Sequence, residues 1–301
     1  MTRLPQIALL ADGKRLHLQD GPIDLIIEVE GSEADRRNAY QAAARRFTGL
    51  LDELCAELTE LRKPAHPQQC SLKSVVARRM HAAVAPFATD HFITPMAAVA
   101  GSVAEEILGA MLQVAQFDRA YVNNGGDIAL HLAVGRQFSI GLMDRPDQYG
   151  VLRTLEIDAA DAARGIATSG RHGRSFSLGI ADAVTVLART ASQADAAATI
   201  IANAVDLPDH PAIVRCPANE LQPDSDLGAL LVTRQVGELS DNEVESALDA
   251  GMNCARELLA SGLIEGATLR LLGRTMVAGA KRNEIRQPQS FHERMPELMH
   301  A

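Results

Sequence analysis

Arg119-Ala-Tyr-Val-Asn-Asn-Gly-Gly-Asp-Ile-Ala-Leu-His-Leu132 decides the fold class. Residues 119–122 and 128–132 read as two short strands, and Asn123-Asn124-Gly125-Gly126-Asp127 between them reads as a tight turn. Two adjacent glycines supply the positive φ that a tight hairpin needs. Asn and Asp are ordinary turn residues, so a plain hairpin accounts for the stretch. The same atoms also suit a ligand, because bare backbone comes close to it and amide and carboxylate groups stand beside it. Two Asn and two Gly exceed what a turn requires, and both readings stay open.

Upstream, residues 7–10, 15–18 and 23–30 read as strands separated by Asp12-Gly13 and Asp20-Gly21, both hairpin signals. Residues 33–62 predict one long helix, with Phe47, Leu50, Leu51, Leu54 and Leu58 recurring at three and four. Thr94-Pro95 looks like a cap followed by proline at the first helical position, opening a helix to about residue 116. Its first part, Met96 to Ala104, is all small or apolar, as in a helix buried on nearly every side. Of Glu105 and Glu106, one is expected to face solvent; the other is read either as a site-facing carboxylate or, more simply, as a second solvated one.

Downstream, residues 137–143 are strand-like. Gly165-Ile-Ala-Thr-Ser-Gly170 is a short strand ending in a turn, and Arg171-His172-Gly173-Arg174 is a basic loop. Residues 175–178 and 182–188 are strand-like, 192–205 a helix, 207–226 a Pro/Asp-rich loop, 242–263 a helix and 267–272 a strand. Short strands joined by turns, with helices between them, predict an α+β fold of antiparallel sheets covered by helices. One domain is expected over residues 5–280. Residues 281–301, polar and without periodicity, read as a disordered tail.

The chain has 301 residues, of which 47% are apolar and only 3% aromatic, with no Trp. Much of the apolar share is Ala, so the core is expected to pack closely around Leu, Ile and Val. The formal net charge of -9 disfavours nucleic-acid binding, though local backbone dipoles can still hold a small phosphorylated ligand. Cys55, Cys70, Cys216 and Cys254 form no C-x-x-C and read as reduced, partly buried thiols. The N-terminus lacks an apolar signal core, and no apolar run is read as reaching the ~20 residues of a membrane span. A cytoplasmic protein with no membrane partner is expected.

Two further groups could carry chemistry. Thr168, Ser169 and Gly170 lead into Arg171 and Arg174, the hydroxyl and guanidinium set that a phosphate or carboxylate site uses. His172 is a candidate proton carrier, and an exposed polar loop explains the same residues. Asp195 and Thr199 stand at i and i+4 near a helix start, a donor pair suited to Mg2+. Ser192-x-x-Asp195 also resembles a capping box. Asp182, among small residues, is read as half-buried and paired with Arg174, and it joins His172 as a catalytic candidate.

Taken together, these pieces resemble the ApbE-like superfamily. Gly101-Ser-Val-Ala-Glu105 resembles the family's Lys-Gly-x-x-x-Asp helix, Gly125-Gly126-Asp127 its Gly-Gly-Asp turn, and Thr168-Ser169-Gly170 its Ser-Gly step. Val184-Thr185-Val186 with Ala194-Asp195-Ala-Ala-Ala-Thr199 resembles its Val-Thr-Val strand and Ala-Asp-Ala-x-x-Thr helix. The resemblance spans about residues 92–206. It implies that Asp195 and Thr199 hold Mg2+. It also implies that Asn124, Gly125, Gly126, Asp127, Thr168, Ser169, Gly170, Arg171 and Arg174 line a flavin-dinucleotide (FAD) site. Members of the family transfer FMN from FAD to a Thr or Ser of an acceptor protein. Two departures stand out: the interval from Arg171 to Ala183 holds no His-x-x-Asp-Pro, and Ala100 replaces the family's Lys. A shorter, cytoplasmic, uncharacterised branch resembles this pattern over most of the chain, and some archaeal relatives have been linked to sulfur assimilation.

The expected function is therefore Mg2+-dependent flavin transfer or hydrolysis at an FAD site. One alternative is an enzyme or accessory protein of sulfur or amino-acid metabolism that reuses the pocket for another anionic ligand. A second is a non-catalytic nucleotide-binding protein. The implied partners are a small anionic or nucleotide ligand and an acceptor protein, with homo-oligomerisation left open.

Overall fold

The computed structural model describes residues 4–143, 151–279 and 285–286. Three strands open the chain, β1 (Gln6–Leu9), β2 (Leu16–Asp20) and β3 (Ile23–Glu30). Helical segments follow: α1 (Glu33–Phe47), α2 (Leu50–Ala56), α3 (Leu58–Leu61) and α4 (Val75–Val84). The single helix expected over residues 33–62 is thus three. Gly49, at φ +84, turns the chain out of helical geometry between α1 and α2. The 3₁₀ turn Pro95–Ala98 runs into α5 (Val99–Leu112). Thr94 makes no side-chain cap there; its hydroxyl donates instead to Asp226.

Next come β4 (Arg119–Asn124), β5 (Asp127–Leu132), β6 (Gln137–Met143), β7 (Val151–Asp158), β8 (Gly165–Ser169) and β9 (Ala183–Ala188). Residues 175–178, expected as strand, lie outside any strand. Helix α6 (Ala191–Ala204) is followed by β10 (Ile213–Pro217), α7 (Ala218–Leu221) and β11 (Leu231–Val236), so the expected 207–226 loop contains a strand and a helical turn. Helix α8 (Asp241–Ala260), β12 (Gly266–Leu271), β13 (Arg274–Ala278) and the two-residue β14 (Ile285–Arg286) complete the order. Of the tail expected to be disordered, only Ile285–Arg286 falls among the described residues, and it pairs with β7.

Nine strands form one sheet in the order β1-β2-β3-β4-β5-β8-β9-β12-β13, and every neighbouring pair is antiparallel. The α+β class and the antiparallel sheet covered by helices are both observed. One face carries alternate buried residues, such as Leu16 and Leu18 on β2 and Leu25 and Ile27 on β3, against the helical layer. The opposite face holds a smaller cluster in which Leu130, Leu132 and Ile166 pack against Ile157 of the three-stranded sheet β14-β7-β6. Alternation of side chains along each strand sends successive residues to the two faces, so two cores form on one sheet.

Two helices position the site. Helix α5 packs on β4 and β5 and touches α1, α4 and α6. The run Pro95–Leu112, with mean hydropathy 1.3, is long and apolar enough to cross a membrane, contrary to the expectation from sequence. Here half of it is buried inside the domain, the place such a helix takes at the centre of a core. Helix α6 lies across β8 and β9, with Ala194, Ala196, Ala197, Ala198 and Ala202 fully buried. These small side chains let α6 come close to both the sheet and α5. Against α5 the approach is made at Gly101, where a Cβ would stand 2.3 Å from the Ala191 carbonyl oxygen. The four cysteines are free, and Cys55 and Cys70 are exposed rather than partly buried.

Candidate functional site

The β4–β5 hairpin closes through Gly125 and Gly126, both at positive φ (+66 and +114), with Asn124 and Asp127 as its last cross-strand pair. The Asn123 side-chain oxygen accepts from the Gly126 N–H at 2.8 Å, which holds the turn. Asn124 is buried, and its polar atoms are taken by the protein. Its Nδ2 donates to the Ala100 carbonyl at 3.2 Å, and its Oδ1 accepts from the Asp24 N–H at 3.4 Å. It therefore staples the hairpin to α5 and β3.

Asp127 opens β5 and has the same parity as Ala129, so it faces the helical layer. Its Oδ1 accepts from the Thr168 N–H at 3.2 Å. The Thr168 hydroxyl is turned away, to the Thr185 hydroxyl at 2.9 Å, so this residue gives the site only its backbone N–H. Ser169, on the helical side by alternation, pairs with Val184.

On α6, Asp195 reaches across to α5, where its Oδ2 accepts from the Gly101 N–H at 3.0 Å. The capping role expected for Asp195 is not what forms. The helix is capped by Thr190, whose hydroxyl accepts from the Gln193 N–H. Ser192 donates through both its N–H and its hydroxyl to Glu105 Oε1 at 2.8 and 2.9 Å. Glu105 is in turn paired with Arg79 at 3.1 Å, and Glu106 with Arg79 and Arg46 at 2.9 and 2.7 Å. Neither glutamate is the solvated residue expected from sequence. Gly101-x-x-x-Glu105 is thus a clamp: the glycine admits the first turn of α6, and the glutamate takes the N–H and hydroxyl of Ser192. Thr199, one turn after Asp195, is half-buried on the same side of α6.

Asp127 and Asp195 are near enough for the charge of one to act on the other. Each keeps some solvent-reachable surface, yet protein surrounds both carboxylates. Burial pushes Asp127 up to about 7, against the Thr168 N–H and the Arg174 charge. Asp195 is raised well above the ordinary carboxylate range by burial and by the charge of Asp127, and the N–H groups of Gly101 and Ala100 only partly oppose this. Two like charges held together in a partly dehydrated cleft favour a proton or another cation between them.

The basic loop divides in two. Arg171 is turned to Asp182, with Nε and one terminal nitrogen at 2.9 and 2.5 Å from Asp182 Oδ1. His172 Nε2 lies 3.3 Å from the same oxygen, and the Leu272 N–H donates to the other at 2.6 Å. Asp182 is therefore partnered by Arg171 and His172, not by Arg174. Arg171 is ion-paired with the buried Asp182 and His172 lies against the same carboxylate, and these contacts anchor the loop beside Gly170. Arg174 goes the other way, toward the Gly-Gly turn. Its guanidinium lies 3.3 Å from where a Cβ on residue 125 would stand, and it donates to the Pro22 carbonyl at 3.4 Å.

The structure thus brings Gly125, Gly126, Asp127, the Thr168 N–H, Arg174 and Asp195 to one cleft, with Thr199 on the Asp195 side. Arg171, His172 and Asp182 form a separate cluster, and Asn124 is internal. Sequence reasoning places Asp127 at a nucleotide and does not pair it with Asp195. The only signal for that pairing is a carboxylate directly after two glycines. A separate cavity of about 500 Å3, lined by residues including Lys63, His66, Cys70 and His81, shares no residue with the cleft.

The donor set bears on which metal the cleft could take. Among the described residues, no group of three or more His, Cys, Asp or Glu side chains could cage an ion. Two carboxylates without an all-protein cage is the way Mg2+ is held when a phosphorylated ligand supplies the remaining oxygens. The paired, proton-seeking carboxylates of Asp127 and Asp195 fit that arrangement.

The family model described as "AbpE bacteria" matches residues 7–277. A UPF0280 protein of Archaeoglobus fulgidus is 35% identical over 139 residues, covering 46% of this chain and 54% of that protein. A UPF0280 protein of Methanopyrus kandleri is 36% identical over 140 residues, covering 46% of this chain and 53% of its own. A third, from Methanococcus vannielii, is 40% identical over 126 residues, covering 41% and 50%. The chain spans about half the length of these curated relatives.

Proposed function

The chain belongs to the ApbE-like family described as AbpE bacteria, and from that premise we propose that its cleft binds a phosphorylated dinucleotide, FAD in the family's precedent, together with Mg2+. The observation that supports this reading is that the charge of Asp127 acts on Asp195, while the Arg174 guanidinium lies against the Gly125 turn and acts on Asp127. A cation between the carboxylates and an anion against Arg174 satisfy both charges at once.

Asp127 and Asp195 would hold the metal, with the Thr199 hydroxyl on the same helical face. Bound there, Mg2+ would screen the pyrophosphate charge and stabilise a leaving phosphate. Arg174 orients the phosphoryl oxygens through paired N–H donors. Gly125 and Gly126 let the ligand lie against the backbone. The Asn124 bonds to Ala100 and Asp24 keep the turn in place while the ligand enters. The reaction class in this reading is FMN transfer or hydrolysis at the pyrophosphate, in a cytoplasmic protein of the shorter family branch.

A second reading is favoured by the Arg171–His172–Asp182 cluster, which fills the interval where the family's His-x-x-Asp-Pro would stand. Arg171 and His172 are both engaged with Asp182. The site then binds its anionic ligand without handing flavin to an acceptor, as in a nucleotide-binding or accessory role in sulfur or amino-acid metabolism.

Melting the purified protein with FAD, with Mg2+ and with both tests the first reading. Both together should raise the melting temperature more than the sum of the separate shifts, since a ligand that binds only the folded state stabilises it by mass action. No joint shift rejects the Mg2+–FAD site. Where the joint shift is present, incubation with a Thr-containing acceptor peptide separates transfer from binding alone.

A further inference from the structure

Strand β1 is one edge of the nine-stranded sheet, and all four of its residues are exposed. Its apolar residues are not scattered. Ile7 pairs with Leu18, which pairs with Leu25; Leu9 pairs with Leu16, which pairs with Ile27. These two rows run outward from the core, and the helical layer covers them only as far as β2. Leu16 and Leu18 are 5% and 0% exposed, whereas Leu9 and Ile7 are 57% and 46% exposed.

The free edge has a defined polarity. The Leu10 N–H donates inward to the Arg15 carbonyl at 2.8 Å, and antiparallel pairing alternates along a strand. Ala8 and Gln6 therefore also turn their backbone groups to β2. Ile7 and Leu9 turn theirs outward, with no strand beyond them among the described residues. From Leu4 to Ala11 the chain carries no charge, although the molecule as a whole carries -9. Charged residues, proline and bulges normally guard such edges. Here the only such device is Pro5, at the strand's start.

We propose that this edge is the dimer interface of the protein, where β1 pairs antiparallel with β1 of a second copy about a two-fold axis through Ala8. That register is the self-complementary one. It sets Ile7 opposite Leu9 of the other copy and Leu9 opposite Ile7, so both apolar rows continue across the axis. The outward N–H and C=O groups of Ile7 and Leu9 then meet their counterparts, two hydrogen bonds for each of two pairs, four in all. Ala8 meets Ala8 as a non-hydrogen-bonded pair. Two molecules of like charge approach most easily where neither presents a charge, and an isologous contact uses the same patch on both. The result is one continuous sheet through two domains.

The test is oligomeric mass by light scattering at about 100 µM, because a dimer's population depends on concentration. The full chain should run at twice its 32.2 kDa. Ile7→Pro removes an outward N–H without removing a bond to β2, and Leu9→Lys sets like charges near the axis. Each should give a monomer whose far-UV spectrum is unchanged. In a Cys55→Ser, Cys70→Ser background, Ala8→Cys should form a symmetric disulfide under mild oxidation, since a non-hydrogen-bonded pair brings Cα atoms within disulfide range. A monomeric parent at this concentration overturns the proposal. So does a dimer that survives both Ile7→Pro and Leu9→Lys, or one in which Ala8→Cys does not cross-link.

Discussion

Asp195 on α6 accepts a 3.0 Å hydrogen bond from the backbone N–H of Gly101 on α5, and that bond fixes the carboxylate at the wall of the cleft. The relationship depends on residue 101 having no side chain. It links the family's two helical motifs in one contact: the glycine of the first holds the aspartate of the second.

The first prediction tests that contact. Gly101→Ala would put a methyl group 2.3 Å from the Ala191 carbonyl oxygen, and the atoms it meets are backbone, which cannot swing aside as a flexible side chain can. Helix α6 must shift away from α5, at a cost of roughly 1–3 kcal/mol by analogy with overpacked cores. Urea unfolding should show this loss, together with a weakened Mg2+ response as Asp195 moves. A variant as stable as the parent would mean that the α5–α6 approach is looser than the clamp requires.

Asp195→Asn should behave differently. Asn keeps the oxygen that accepts from Gly101 and removes a charge that faces Asp127 in a confined space. Without metal it should melt a few degrees higher than the parent, a gain on the order of 1 kcal/mol. With Mg2+ it should lose most of the parent's stabilisation, because hard cations depend on carboxylate charge. Calorimetry with and without the metal reads both effects, and an undiminished Mg2+ shift in the variant would remove Asp195 from the metal site.

Much of this arrangement is legible in the amino-acid sequence. Strand alternation, turn dipeptides and the order of motifs point to the α+β class, and the hairpin at Gly125-Gly126 forms between the expected strands. Asp195 and Thr199 at i and i+4 share one helical face. What a linear sequence does not carry is direction across space. Ser192 has the spacing of a cap, but Thr190 is the cap, and Ser192 bonds Glu105, eighty-seven positions away. Asp182 pairs with Arg171 rather than the expected Arg174, because loop residues three apart turn oppositely according to backbone geometry, which a basic run does not reveal. The break at Gly49 is invisible for a similar reason: the apolar spacing of three and four continues through a glycine that takes a φ of +84 in the structure.

The pH dependence follows from the raised carboxylates. Asp127 moves from the ordinary value of 3.8 to about 7, and Asp195 moves in the same direction. Folded protein therefore holds more protons than unfolded chain in this range, so the contribution of Asp127 to stability is fully present below about pH 4 and is lost as pH rises through about 7, with Asp195 acting in the same sense. Carboxylates lowered by their partners, such as Asp12 and Glu243, act in the opposite sense, so the comparison must be made between variants. The difference in melting temperature between Asp127→Asn and the parent should grow from pH 4 to pH 7 in chelator. Mg2+ should shrink it by occupying the deprotonated pair. A difference that stays flat with pH would mean that Asp127 titrates near its ordinary value.

Arg174 supplies the most discriminating prediction, because the two ligands of the cleft respond to it with opposite signs. Its positive charge lowers the affinity of Asp127 for any cation, proton or metal, and it lies over the Gly-Gly turn where a phosphoryl group would enter. Arg174→Gln keeps a polar side chain but removes the charge and the paired donors. Mg2+ alone, titrated against parent and variant at the same alkaline pH, should bind more tightly to the variant. Inorganic pyrophosphate in the presence of Mg2+ should bind about tenfold to a hundredfold more weakly, the loss expected when a hydrogen bond to a charged group is removed. A merely structural role for Arg174, through its bond to the Pro22 carbonyl, would move both affinities the same way. Isothermal titration of the two ligands against parent and variant distinguishes these cases: opposite shifts place Arg174 between the metal and the anion, and parallel shifts return it to the scaffold.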